Sequence, residues 1–317
     1  TGAVRSGDVD LARAAGLSVG VDVGGTFTDL AAIGDDGAVR IAKVLTRPAD
    51  QSAGVMDALA AFGAPARAVR RLVHGTTAVT NLLLERTGAR VVLCATAGHV
   101  DVLHLRRQDR ASLYDLAAHH PAPLVPRART VAVPERMAPD GPVCAPSAEG
   151  IARVVDAVRA LAPEGVAVAL LHAYAHDAHE RALADALAAA LPDVDVVRSS
   201  AVHPEIREYE RTATTAAEAY ARPRVRRYLE RLGERLAASG HPAPGVMTSG
   251  GGVRAAAEAA RAAASLALSG PAGGVVGASA VLRSLGIPDA LTLDIGGTSA
   301  DVGLVLGGEP LVESVGE

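Results

Sequence analysis

Residues 19–33, Val-Gly-Val-Asp-Val-Gly-Gly-Thr-Phe-Thr-Asp-Leu-Ala-Ala-Ile, recur as a pattern at residues 291–305, Leu-Thr-Leu-Asp-Ile-Gly-Gly-Thr-Ser-Ala-Asp-Val-Gly-Leu-Val, a constant 272 positions further on. Asp22 corresponds to Asp294, Gly24 and Gly25 to Gly296 and Gly297, Thr26 to Thr298, and Asp29 to Asp301. Each copy reads as an apolar strand, a tight turn that glycine permits, and an apolar strand returning. One copy alone is an ordinary hairpin. Two copies sharing the Thr and the trailing Asp predict two lobes built around the same device.

A turn without side chains lets its backbone N–H groups approach an anion, and a neighbouring hydroxyl adds a donor. The candidates for phosphate binding are therefore Gly24, Gly25, Thr26 and Thr28 in the first copy and Gly296, Gly297, Thr298 and Ser299 in the second, with Asp29 and Asp301 trailing them. A carboxylate beside a phosphate is repelled unless a cation lies between, so Asp22 and Asp294 predict a Mg²⁺ site. Two such loops, one from each half, would grip a triphosphate from both sides.

Composition narrows the rest. A length of 317 residues with 49% hydrophobic content accommodates two domains with full cores. The formal charge of -4 gives no electrostatic reason to expect nucleic acid or an anionic membrane. No apolar run approaches a membrane span and no signal-peptide core precedes the first strand, so the expectation is a cytoplasmic protein. Cys94 and Cys144 form neither a disulfide framework nor a zinc knuckle. Lys43 is the only lysine and follows no glycine-rich loop, which removes a Walker P-loop and a lysine Schiff base.

Along the chain, residues 1–17 read as a loose arm, 38–45 as a third strand, and 51–62 as an amphipathic helix closed by Gly63. Leu72 to Gly75 reads as a strand running into a helix that Thr76 or Thr77 caps; with His74 this is either an ordinary cap or an anion or carbonyl site. Arg106, Arg107, Gln108 and Arg110 form a basic cluster able to hold phosphate or a carboxylate, or simply to face solvent. His172, His176 and His179 are ligand-spaced only if helical. A long helix is expected from Pro204 to Ala238, broken at Pro223. The glycine turns at Ser249–Gly252 and Ser269–Gly274 either face nucleotide or let helices approach the sheet. The expected organisation is a first lobe over 18–198 and the start of a second over 199–317. That second lobe is expected to be incomplete, because twelve residues follow the second hairpin.

The paired motif resembles the phosphate hairpins of the actin-like ATPases, an α/β superfamily with ribonuclease H-like lobes and mixed sheets. A longer ordered set resembles the hydantoinase/5-oxoprolinase family, in its A-type subunit or N-terminal half. It comprises Asp22–Asp29, His74–Thr77 with Thr80-Asn81 and Leu84–Arg86, Arg107-Gln108 with Leu113–Leu116, and Glu135-Arg136. It continues through His172, His179-Glu180, Pro204–Thr212, Ser269–Ala272 and Asp294–Asp301. The chain departs from the family pattern at Arg106, Ala111, Ala173 and His176-Asp177. The resemblance implies an ATP- and Mg²⁺-dependent hydrolase opening a cyclic amide such as 5-oxoproline or a hydantoin, working as an oligomer with a B-type subunit. It further implies Asp22 and Asp294 at the metal and the attacking water, His74, Thr76 and Thr77 at the substrate carbonyl, and Arg107 with Gln108 at the substrate. Two alternatives stay open: an ATP-dependent acetone or acetophenone carboxylase subunit, and a non-catalytic nucleotide-sensing ATPase.

Overall fold

The structure, a computed structural model, describes residues 16–295 and 300–312. Of the expected arm only Gly16 and Leu17 are described, and Leu17 already belongs to a strand. The first part of the chain forms β1 (Leu17–Val23), β2 (Phe27–Ile33), β3 (Val39–Leu45), α1 (Gln51–Phe62), β4 (Val69–Thr76) and α2 (Ala78–Leu84). Next come β5 (Val91–Thr96), α3 (Val102–Leu105), β6 (Thr130–Val133), β7 (Arg136–Ala138), β8 (Gly141–Cys144), α4 (Ala148–Ala160), β9 (Gly165–Ala169), α5 (Ala178–Ala190), β10 (Asp195–Arg198) and α6 (Ser199–Val202). The last part holds α7 (Glu208–Ala238), β11 (Gly245–Met247), β12 (Val253–Ala255), α8 (Ala256–Ala259), α9 (Ser269–Ser284), β13 (Ala290–Ile295), β14 (Ala300–Leu306) and β15 (Glu309–Pro310).

These elements make two compact units, Leu82–Arg224 and the remainder of the chain on either side of it. The boundaries differ from the linear division at 198/199 expected from the sequence. The reason is pairing: β11 joins β4 in parallel, so late strands complete the sheet that early strands begin. That six-stranded sheet runs β12-β11-β4-β1-β2-β3, with β1, β2 and β3 an antiparallel meander. Strand alternation gives it two different faces. Leu17, Val19, Val21 and Val23 of β1, with Leu30 and Ala32 of β2, are buried on one face. Gly20 and Asp22 of β1, with Asp29 and Ala31 of β2, belong to the other. Helix α1 starts where Asp50 accepts from Ala53 N at 3.2 Å and stops at left-handed Gly63, and it packs on β2 and β3.

A separate sheet, β13-β14-β15, carries the second hairpin, with α9 packed on it. The two hairpins share one register. β1 and β2 pair Ser18 with Ile33 through Val23 with Thr28, and β13 and β14 pair Ala290 with Val305 through Ile295 with Ala300, at the same 272-residue offset throughout.

The other unit holds a four-stranded parallel sheet, β10-β9-β5-β6. Such a sheet is covered on both faces and its strands read as unbroken apolar runs. Alternate residues of β5 accordingly enter different cores. Val92 and Cys94 pack with α4 and α5 through Val154, Val158, Leu183 and Leu187, while Val91, Leu93 and Ala95 pack with Ala216, Ala219 and Tyr220 of α7. Burial pushes the Cys94 thiol up to about 12, so it is a packing group and not a nucleophile.

Helix α7 runs 31 residues without interruption, and Pro223 lies inside it; the expected break does not occur. Proline removes one intrahelical bond, to the carbonyl four residues back, which is that of Ala219. Neighbouring chain fits around this turn: Ala89 N donates to Tyr220 O at 2.9 Å, and Gly165 lies so close that a Cβ there would stand 2.6 Å from Ala219 O. Backbone on backbone cannot yield cheaply. Gly165→Ala is expected to destabilise the fold by about 1–3 kcal/mol, read from urea or thermal unfolding; an unchanged transition would show that β9 and α7 can separate at no cost.

Candidate active site

The face of the six-stranded sheet left free by α1 forms the floor of a cavity of about 610 Å³. Four strands supply it at alternate positions: Gly20 and Asp22, Asp29 and Ala31, Ile41 and Lys43, Val73 and Gly75. Gly270, Gly273 and Gly274 in the first turns of α9 form another part of its wall, and Asp294 of the second hairpin another. The volume falls in the range of small-molecule sites.

Charge in this cavity is unbalanced. The Asp22 carboxyl is held above the usual carboxylate range, first by burial and then by the nearby negative charges of Asp29 and Asp294. Lys43 answers part of it, meeting Asp29 Oδ1 at 2.6 Å across the β2–β3 pair and lying over the Phe27 ring. The remaining donors are carboxylate oxygens with neither thiol nor imidazole among them, the set a hard cation such as Mg²⁺ takes. Asp22 and Asp294 thus fit the expected ion. The start of a sixteen-residue helix beside them adds partial positive charge suited to phosphate.

The turn of the first hairpin is built as expected. Gly24 N donates to Phe27 O at 3.0 Å, and Gly25 and Thr26 are exposed at the tip. Thr46, just after β3, laces this tip: its N–H donates to Thr26 O at 2.9 Å and its hydroxyl to Gly24 O at 2.9 Å. Gly296, Gly297, Thr298 and Ser299 lie outside the described residues. Asp301 pairs with Asp294 across the second hairpin, as Asp29 does with Asp22 in the first.

Several expected site residues belong elsewhere. Thr28 is fully buried on the α1 face, its hydroxyl 3.1 Å from that of Thr46. His74 faces the same buried side, because its neighbours Val73 and Gly75 take the cavity side of β4. Its Nδ1 donates to Val21 O at 3.2 Å and its Nε2 accepts from the Tyr228 hydroxyl at 2.6 Å. Thr76 is buried, with its hydroxyl accepting from Ala78 N, and Thr77 donates to Val23 O. These three brace and cap the strand-to-helix junction and are not among the residues lining the cavity. The part of that stretch that touches the cavity is Gly75, where a Cβ would stand 2.7 Å from Asp22 Oδ1. Arg107 and Gln108 line a different cavity, within the Leu82–Arg224 unit. His172, His176 and His179 go to different partners: Tyr174, Pro139 O and Glu135. Among the described residues no group of three or more His, Cys, Asp or Glu is poised for a metal.

Two hairpins of one register, with corresponding acids turned into a single cavity, define a chain of the actin-like ATPase type. Family models agree with this and go further: the hydantoinase/oxoprolinase N-terminal region matches residues 18–191, and the hydantoinase/oxoprolinase domain matches residues 211–317. The chain belongs to the hydantoinase/oxoprolinase family. Caprolactamase subunit alpha of Pseudomonas jessenii is 34% identical over 303 residues, covering 92% of this chain and 43% of that protein. 5-oxoprolinase 1 of Arabidopsis thaliana is 32% identical over 260 residues, covering 75% of this chain and 20% of that protein. The nucleotide-free structure of acetone carboxylase superposes with a TM-score of 0.82 at 29% identity, covering 92% of this chain and 44% of that one. The chain thus spans less than half the length of these relatives. No helix among the described residues is long and apolar enough to cross a membrane.

The buried histidine gives a pH signature. Burial lowers the His74 pKa from 6.5 to about 4, so the folded state holds the ring neutral while the unfolded chain takes up a proton below 6.5. Stability from this residue is complete above pH 6.5 and is lost as pH falls towards 4, by roughly 3 kcal/mol in all. Urea unfolding across that window is expected to lose this slope in His74→Gln, whatever its baseline; an equal slope in both proteins would place the ring in contact with solvent.

Proposed function

We propose that the protein uses ATP to hydrolyse a cyclic amide, such as 5-oxoproline or an N-substituted hydantoin. The observation that carries this reading is the meeting of Asp22 and Asp294, corresponding residues of two hairpins, in one cavity. Relatives whose names state 5-oxoprolinase and caprolactamase activity support the substrate class.

An unactivated lactam is a poor electrophile. Attack of the amide oxygen on the γ-phosphorus, with the bond to ADP breaking, makes that oxygen part of a leaving group. Water then adds to the ring carbon, the C–N bond breaks with nitrogen departing as the amine, and a second water releases phosphate and leaves a carboxylate. Phosphoryl transfer depends on positioning and charge neutralisation more than on covalent participation by the protein. The turn that Gly24 closes, with the Gly25 amide and the Thr26 hydroxyl at its exposed tip, and the first turn of α9 are the groups assigned to the phosphates. By sequence correspondence Gly296, Gly297, Thr298 and Ser299 take the same role. Asp22 and Asp294 would hold Mg²⁺, which would supply positive charge against that developing on the transferred group. Gly75 keeps the Asp22 carboxylate where it is by offering no side chain.

A B-type partner subunit would complete ring hydrolysis, in an assembly of more than one chain. The competing reading is ATP-dependent carboxylation of a ketone, favoured by the likeness to acetone carboxylase. Phosphate release by the full-length protein with its partner separates the two. It is expected to rise with 5-oxoproline, hydantoin or caprolactam, and to fall by about 100-fold or more in Asp22→Asn and Asp294→Asn. Stimulation by acetone with bicarbonate alone would overturn the lactam reading, and indifference to all of these would leave a nucleotide-sensing ATPase.

A further inference from the structure

The Leu82–Arg224 unit has a cavity of its own, of about 680 Å³, at the carboxyl ends of its parallel strands. In the order β10-β9-β5-β6, β5 leads on to β6 at one side and β9 leads on to β10 at the other, so the chain leaves the two central strands in opposite directions. That divergence opens a crevice, and open parallel α/β sheets bind ligands at such a crevice. The segment after β5, from Gly98 to Gln108, lines it together with Arg136 after β6 and His172 after β9.

Two independent features mark this cavity as built for a ligand. Of the six non-glycine residues with positive φ among the described residues, three line it: Arg106 at 52°, Gln108 at 60° and His172 at 53°. Backbone of this kind persists where surrounding structure holds it, and it clusters at binding sites. A buried polar network supplies the hold. Glu180, fully buried, accepts from Leu170 N at 2.9 Å and from Ser199 Oγ at 2.6 Å, while Arg211 donates to Leu170 O at 2.9 Å. Thr96 accepts from Leu171 N at 3.0 Å and donates to Glu135, whose other oxygen is 2.7 Å from His179 Nδ1. Desolvating such groups is unfavourable unless they are hydrogen-bonded, and here the bonds fix the ends of β5, β6, β9 and β10.

The lining chemistry selects the ligand. Arg106, Arg107, Arg136 and Arg207 outnumber Asp101, Glu208 and Glu210 on the wall, and Asp101 is already paired with Arg127. Arg107 and Arg207 both turn to Glu210, at 2.7 and 3.8 Å, and Arg136 donates to His99 Nε2 at 3.0 Å. Val102, Leu105 and Leu171 supply an apolar side. We propose that this cavity binds a small organic monocarboxylate, with the carboxylate on the arginine forks and the carbon body against the apolar side. Planar guanidinium groups suit a carboxylate, and the apolar side suits a carbon body that inorganic phosphate lacks.

The test is calorimetric titration of the full-length protein with sodium benzoate, sodium butyrate and inorganic phosphate. At least one carboxylate is expected to bind the wild type, about tenfold or more weakly to Arg136→Ala and to Arg107→Gln, with Arg136→Lys intermediate. Binding is expected to persist in Asp22→Asn, which keeps this result separate from the fate of the ATPase reading. Absence of heat with both carboxylates, equal affinity in folded arginine variants, tighter binding of phosphate, or loss of carboxylate binding in Asp22→Asn would each overturn the proposal.

Discussion

Like charges brought together by two separate hairpins are the constraint on which the structure of the candidate active site depends. Burial and then the nearby charges of Asp29 and Asp294 raise the Asp22 pKa, and among the described residues Lys43 meets Asp29. Carboxylates so arranged work against folding unless something positive is to lie among them. The glycines around them follow from the same demand. Gly75 leaves the space in which the Asp22 side chain sits, Gly270 comes up beside it, and the turn that Gly24 closes leaves Gly25 and Thr26 exposed at its tip.

Strand alternation then decides which of the suggestive residues can take part. In β1 to β4 every second residue faces the cavity and the others face the core, so two polar neighbours on one strand cannot both be functional in the same site. Asp22 and Asp29 have the cavity phase; Thr28, His74 and Thr76 have the core phase. This was legible before any coordinates. Once Gly75 is given the cavity side, His74 must take the other, yet imidazole beside three hydroxyls reads as chemistry and glycine does not. Lys43 was legible in the same way, because it faces Asp29 two strands into the meander, but its distance from any glycine-rich loop hid it.

The hairpins, their shared register, α1 and the parallel strands of the second unit could all be read from apolar periodicity, because these elements are set by local pattern and burial. What could not be read depends on contacts between distant segments. The parallel pairing of β11 with β4 moves the unit boundary, and α7 continues through Pro223 at the turn where Ala89 and Gly165 come up to it. The glycine stretch Ser269–Gly274 was ambiguous in sequence for the same reason: it forms the first turns of α9, and only the fold places it beside Asp22 at the cavity.

The central claim is that both hairpins hold one and the same ion. It is tested most directly by a double-mutant cycle on Mn²⁺·ATP affinity with Asp22→Asn and Asp294→Asn. A shared site predicts that each single variant loses most of the affinity and that the double variant loses little more, giving strong coupling between the two positions. Losses that simply add, or no loss in either variant, would show that the acids serve separate purposes and would contradict the account.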